Sequence, residues 1–177
     1  MKCSIPLLGF CAWGSGVGKT TLLSNLIPVL ALRGLKISVI KHAHHSFDID
    51  HPGKDSYRLR QAGAVQMMLG SKKRWALMTE LSRIGPETTE LGLAELLPHI
   101  DTSLVDLIVV EGFKQEPIPK IEVYRPSLGK PLHAENDPHV IAIASDGPVT
   151  TTLPVLDLND PETIADFIVN WLQQQRK

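Results

Sequence analysis

Little in this chain points to unusual covalent or electrostatic devices. Only 2 of its 177 residues are cysteine. Cys3 and Cys11 lie close together on one apolar stretch and form no C-x-x-C pair. That excludes a disulfide scaffold and a cysteine-rich zinc module, and it suits a reducing cytoplasm. Excess charge is also lacking: 18 basic against 19 acidic residues leave a formal net charge of −1. No broad basic field therefore draws the protein onto nucleic acid. No apolar run is long enough to span a bilayer. Residues 1–12 hold one lysine and an apolar run but no small-residue cleavage site, so they read as a first strand rather than a signal peptide. Repeats, low-complexity tracts and linkers are missing. The length therefore suggests a single domain over residues 1–177, and its 43% hydrophobic content is enough for a sizeable core.

What is present alternates. Apolar runs of strand length fall at 5–12, 36–40, 64–69, 74–78, 106–110, 120–124 and 139–144, several almost wholly apolar, as in strands buried on both faces. Helical patterns separate them. One spans about 19–33, with Leu22, Leu23, Leu26, Ile27 and Leu30 on one face, a kink expected at Pro28 and a stop at Gly34. A short helix starts near Lys54 and ends at Gly63, and another covers about 89–97. The last begins at Asp160-Pro161-Glu162, a capping residue with proline at the first helical position. The segments Pro126 to Pro138 and Pro86 to Glu90 read as surface loops. This pattern predicts a three-layer α/β fold, a mainly parallel sheet with helices on both faces, with ligands at the C-terminal strand ends.

The most informative run is Gly14, Ser15, Gly16, Val17, Gly18, Lys19, Thr20 and Thr21, between the first strand and the first helix. Strand, glycine-rich turn, Lys-Thr and helix are the parts of a phosphate-binding P-loop. Glycines let amides face phosphate oxygens, and the helix N-terminus adds unpaired donors and partial positive charge. Lys19 would reach the terminal phosphates and the Thr20 hydroxyl would bind Mg²⁺. The strict pattern wants glycine six residues before Lys19, where Trp13 stands. Gly14 comes one position late.

Other candidates sit at strand ends. Glu111 closes Val105–Val110, where P-loop proteins place an acid beside the Mg²⁺ shell; the plainer alternative is an acid that merely ends a strand. Gly112 would leave room for a phosphate or a partner backbone. Asp146 closes Val140–Ser145. There it would accept from N1–H and N2–H₂ of guanine, or simply begin the turn Asp146-Gly147-Pro148. Thr79 and Glu80 end another strand, expected on the P-loop's sheet edge. Lys72-Lys73-Arg74 is a small basic run at a strand entry. Lys41-His42-Ala43-His44-His45, with His51, Asp48, Asp50 and Asp55, is a polar segment expected to cover the nucleotide. In it Asp50 or Asp55 would face Mg²⁺ through water, or the histidines would take Zn²⁺ or Ni²⁺.

Trp13 through Thr21, Lys41–His45, Pro52-Gly53-Lys54-Asp55-Ser56-Tyr57-Arg58, Arg74–Glu80 and Glu111-Gly112-Phe113-Lys114, in this order, resemble the molybdopterin-guanine dinucleotide biosynthesis adaptor family (MobB). The resemblance spans nearly the full length. It implies a GTP-binding protein of the SIMIBI class of P-loop NTPases, typically a homodimer with weak GTPase activity. The family assists attachment of GMP to the molybdopterin-type cofactor alongside a molybdopterin guanylyltransferase. By that likeness Gly16, Gly18, Lys19, Thr20 and Thr21 hold phosphates and Glu111 lies near Mg²⁺. Lys19 and Glu111 would then be the residues nearest any hydrolysis. No glutamine or in-cis arginine finger is evident, so turnover is expected to be slow; Arg58 or Arg60 could act across a dimer. The other readings are a GTPase metallochaperone using His42–His51, a small-molecule kinase (though no arginine-rich lid is visible) and a nucleotide-gated adaptor without useful catalysis.

Overall fold

The structure, a computed structural model, describes residues 4–43, 47–85 and 91–175. By its internal contacts the chain divides into two compact units, Met1–His42 with Gly92–Lys177, and Ala43–Leu91.

The larger unit is built on a six-stranded sheet. Its strands are β1 (Leu7–Cys11), β2 (Ile37–Lys41), β5 (Leu107–Glu111), β6 (Lys120–Tyr124), β7 (Val140–Ser145) and β8 (Val155–Asp157). Their order is β2-β5-β1-β6-β7-β8, and every neighbouring pair is parallel. All five residues of β5 are buried, because a strand between two parallel neighbours is covered on both faces. Alternation along it sorts the core. Leu107 and Val109 join Leu8, Phe10, Ile121, Val123, Ala142 and Ala144 on one face. Ile108 and Val110 join Ile40, Leu93, Leu97 and Ile118 on the other.

Helices cover both faces. On the first, α1 (Lys19–Leu32) contributes Leu22, Leu23, Leu26 and Leu30, and α4 (Pro161–Gln175) contributes Ile164, Ile168, Trp171 and Leu172. The helix α1 runs unbroken through Pro28 and ends where Gly34 turns at φ +83°. The start of α4 follows the sequence expectation: Asp160 accepts from the amides of Glu162 and Thr163 at 3.0 and 3.2 Å. On the second face α3 (Leu93–Leu96) is shorter than the predicted 89–97. It gives way to a 3₁₀ turn, Leu97–His99, around Pro98, and residues 86–90 lie outside those described. Strand β8 was not predicted; three residues are too few to show a period.

The smaller unit holds α2 (Asp55–Gln61) and a two-stranded antiparallel sheet of β3 (Gln66–Gly70) and β4 (Trp75–Thr79). This corrects the expectation that 64–69 and 74–78 are buried strands of the parallel sheet. Lys72-Lys73-Arg74 lies in the hairpin turn, where the Ser71 amide donates to the Arg74 carbonyl at 2.8 Å. Arg60 holds the unit together. Only 7% exposed, it pairs with Asp48 at 2.5 Å and Glu80 at 2.6 Å and lies 5.4 Å from the Tyr57 ring centroid.

Pro126 to Pro138 is a largely exposed loop, as predicted, but it is anchored to the sheet. Glu122, fully buried on β6, accepts from the amides of His133 and Ala134 at 2.8 and 3.0 Å. Lys120, also buried, donates to Asp137 at 2.6 Å. Buried charges need such partners, and these two fasten the segment from below.

Candidate nucleotide site

The turn between β1 and α1 starts from the central region of the sheet, at the C-terminal strand ends. Gly16 has φ +77° and Gly18 φ +113°, a region that L side chains enter only at a cost. The first amides of α1 have no intrahelical acceptor, and no side chain caps them at Gly18. A Cβ added at Gly14 or Gly16 would meet nothing within 4 Å, so the turn is uncrowded at both glycines. An open, positively biased ring of amides is what an anion requires. Gly14 itself, the displaced first glycine, needs no positive φ. Its carbonyl accepts from Lys19 Nζ at 2.8 Å, so the lysine folds back over the loop. Burial lowers the Lys19 pKa, and the charge of Glu111 opposes that shift.

Thr20 and Glu111, 91 positions apart, are brought together: the Thr20 hydroxyl donates to Glu111 Oε1 at 2.7 Å. The Glu111 side chain is only 10% exposed. A hydroxyl and a strand-end carboxylate beside a phosphate cradle are oxygen donors that fit a hard cation such as Mg²⁺. Lys41, whose role was not legible in the sequence, reaches the same pair, with Nζ 3.1 Å from both carboxylate oxygens and 3.2 Å from Thr20 Oγ1.

Two further contacts escaped sequence reasoning. Arg125, just after β6, donates through Nε to the Val17 carbonyl at 2.8 Å and pairs through Nη1 with Asp146. It thus clamps the loop from behind, and Asp146 is ion-paired rather than free. A pocket of about 140 Å³ opens beside it, lined by Gly18, Thr21, Asn25, Arg125, Asn159 and Pro161 among others. Trp13, in the place of the strict motif's first glycine, stacks on His133 with centroids 4.9 Å apart. A basic residue at a strand end and a histidine in a loop give no signal of such partners.

Other expected roles fare differently. Gly112 offers no room for a ligand: at φ +91°, a Cβ there would come within 2.8 Å of His42 Cβ. Thr79 and Glu80 end β4 of the antiparallel hairpin, so the premise that they share the P-loop's sheet edge is wrong; Glu80 is engaged by Arg60. Asp50 is likewise engaged inside its own unit, accepting from Ser56 Oγ at 2.9 Å and lying 3.6 Å from Arg60 Nε. Arg60 is engaged by three carboxylates of its own unit, Asp48, Asp50 and Glu80. Its guanidinium pKa is raised, first by the hydrogen bond to Asp48 and then by that to Glu80. His44 and His45 lie outside the described residues. Among those described, no group of three or more His, Cys, Asp or Glu side chains is placed to hold a metal ion, and no helix is long and apolar enough to cross a membrane.

Known proteins match this arrangement along most of the chain. The family model for "Molybdopterin guanine dinucleotide synthesis protein B" matches residues 7–146. A relative from Escherichia coli (strain K12), named molybdopterin-guanine dinucleotide biosynthesis adapter protein, is 53% identical over 175 residues, 98% of this chain and 97% of the relative. One of the same name from Haemophilus influenzae is 47% identical over 97% of this chain and 92% of its own length. Among solved structures, a molybdopterin-guanine biosynthesis protein B (mobB) superposes with TM-score 0.68 at 24% identity, over 93% of this chain and 99% of that one. Bacillus subtilis MobB gives TM-score 0.68 at 20% identity, over 94% and 97%; these two speak for the fold. The chain belongs to the molybdopterin guanine dinucleotide synthesis protein B family.

Proposed function

We propose that the chain binds GTP with Mg²⁺ across the β1–α1 turn and works as an adapter in molybdopterin guanine dinucleotide biosynthesis. In this role it assists a molybdopterin guanylyltransferase in attaching GMP to the molybdopterin-type cofactor, in the reducing cytoplasm. The observation that carries the reading is the open glycine turn with the Thr20 hydroxyl on Glu111, in a chain 53% identical to a protein named as such an adapter. The amides after Gly14 would hold the phosphates, and Lys19 would leave the Gly14 carbonyl to meet the terminal ones. Thr20 and Glu111 would hold Mg²⁺, which neutralises charge on the phosphate oxygens when bound.

Weak GTPase activity fits the engagement of two arginines within the fold. Arg125 is engaged by Val17 and Asp146, and Arg60 by Asp48 and Glu80. Neither is free to stabilise a transferring phosphoryl group. Guanine selection would rest on Asp146, because a carboxylate has about four acceptor sites and one arginine does not fill them. A homodimer is supported by the apolar residues the hairpin leaves exposed, Met68 and Trp75 at 62% and 66%.

The test is competition of GTP and ATP against a fluorescent nucleotide, on the natural protein and on Lys19→Ala. GTP should displace more effectively than ATP, and the variant should bind about 10- to 100-fold more weakly, as expected on losing a charged hydrogen bond. Equal affinities in a folded Lys19→Ala protein would refute the reading.

A further inference from the structure

Lys41 and Glu111 are register partners at the C-terminal ends of the adjacent parallel strands β2 and β5, so their side chains leave the sheet on the same face. The contrast between them is informative. The Lys41 side chain is 54% exposed, yet its ammonium sits against a carboxylate whose side chain is only 10% exposed. Three oxygens surround that one nitrogen: both of Glu111 at 3.1 Å and Thr20 Oγ1 at 3.2 Å. They are the side-chain oxygens that, on the function proposed above, would face Mg²⁺.

We infer that Lys41 is the resident counter-ion of the metal position: its ammonium neutralises Glu111 while no nucleotide is bound and withdraws when a divalent cation arrives with the triphosphate. This inference rests on the proposed binding of nucleotide with Mg²⁺. A carboxylate this buried is costly without a cation beside it. A second cation at the same oxygens would lie within about 3–4 Å of the first, where repulsion is strong outside bulk water. The two therefore exclude each other. Lysine suits a partner that must let go, being a compact charge on a flexible four-carbon stem rather than a planar fork. Lys19, parked on the Gly14 carbonyl at 2.8 Å, is a second ammonium that would exchange its partner in the same event.

Metal alone should consequently bind poorly to the free protein. Triphosphate brings the metal anionic ligands of its own, so nucleotide and metal should each strengthen the other's binding by the same factor.

Mn²⁺, followed by electron paramagnetic resonance, serves as the metal probe on the full nucleotide-free chain. Lys41→Met should bind Mn²⁺ about tenfold or more tightly than the natural protein, since close charge pairs couple at least that strongly. Lys41→Met combined with Glu111→Gln should lose that gain. Binding no tighter in Lys41→Met overturns the inference. If that variant does not fold, amine-reactive labelling of the natural protein read by mass spectrometry decides instead. Lys41 labelling should rise on adding Mn²⁺ with GTP, and unchanged or reduced labelling overturns the inference. GTP affinity of the natural protein, measured with Mg²⁺ present, separates the two levels: if GTP binds while Lys41 behaves as a bystander, only the counter-ion role fails. If GTP does not bind at all, the function proposed above fails with it.

Discussion

A glycine-to-alanine series through the P-loop separates what the fold needs from what the ligand needs. Gly18 takes φ +113° and ψ 11°, and a Cβ there would come within 3.2 Å of Arg125 Nη2. Backbone held in such a region costs about 1–3 kcal/mol for a residue with a side chain. Arg125 cannot move aside freely, because its Nε is fixed on the Val17 carbonyl at 2.8 Å. Gly18→Ala should therefore lower stability by about 1–3 kcal/mol. At ~2–4 °C per kcal/mol for a chain of this size, Tm should fall by about 2–12 °C. Gly16 takes φ +77° with nothing within 4 Å of its Cβ position, leaving only the left-handed backbone cost, about 1–2 kcal/mol. Gly14 has neither a positive φ nor a close neighbour, and its carbonyl bond to Lys19 survives in alanine, so Gly14→Ala should stay within about 0.5 kcal/mol. Scanning calorimetry of the three variants gives the order. Any loss of GTP affinity in Gly14→Ala would then report crowding of the ligand alone. A Gly14→Ala protein destabilised as much as Gly18→Ala would show that the conformational reasoning is wrong.

Leu26 on α1 is fully buried against the sheet, so Leu26→Ala should cost about 2–5 kcal/mol in denaturant unfolding, and a loss under ~1 kcal/mol would contradict the packing described. Burial, aided by the charge of Glu122, pushes the Cys11 thiol up to about 12; mass mapping should find it unmodified by thiol reagents until the protein unfolds, whereas rapid labelling in the native state would not fit. Burial raises the Asp137 carboxyl, but hydrogen bonds from Lys120 and from His139 outweigh it and hold the pKa below 3.8. Its folded value is lower than its unfolded one, so its contribution to stability is present above about pH 4 and is lost as pH falls through the folded value. Asp137→Asn should flatten the acid limb of the stability curve, and an unchanged limb would count against the buried pair.

Much of the site was legible because its chemistry is local. Gly16, Gly18, Lys19 and Thr20 are close in sequence, and the positive φ of the two glycines and the helix start at Lys19 follow from residue type. Glu111 could be placed because an all-apolar strand ending in an acid has few uses beside a phosphate loop. The partners of these residues were not legible. Lys41 meets Glu111 only because β2 and β5 pair in one register, and Arg125 meets Val17 across 108 positions. Glu122 inside β6 interrupts an apolar pattern, and its reason appears only when the His133 and Ala134 amides are seen above it.

The hairpin is the instructive failure, because the deciding feature was connection length rather than composition. The runs Gln66–Gly70 and Trp75–Thr79 are as apolar as buried parallel strands, yet Met68 and Trp75 stay exposed. Only residues 71–74 join them. To pair in parallel, the chain would have to reverse twice and travel back along β3, about 13 Å at 3.3 Å per residue. Each tight reversal takes about two residues, so four residues leave nothing for the return. The link from Gly112 to Pro119 shows the contrast: eight residues reach about 26 Å when extended, enough to bring β6 back to the far side of β1, parallel to β5's neighbour. An apolar run therefore shows that a strand is plausible, while the number of residues before the next run decides which sheets it can join. On that criterion β3 and β4 could only have been a hairpin, and Glu80 at its end should not have been aligned with the strand end that presents Glu111.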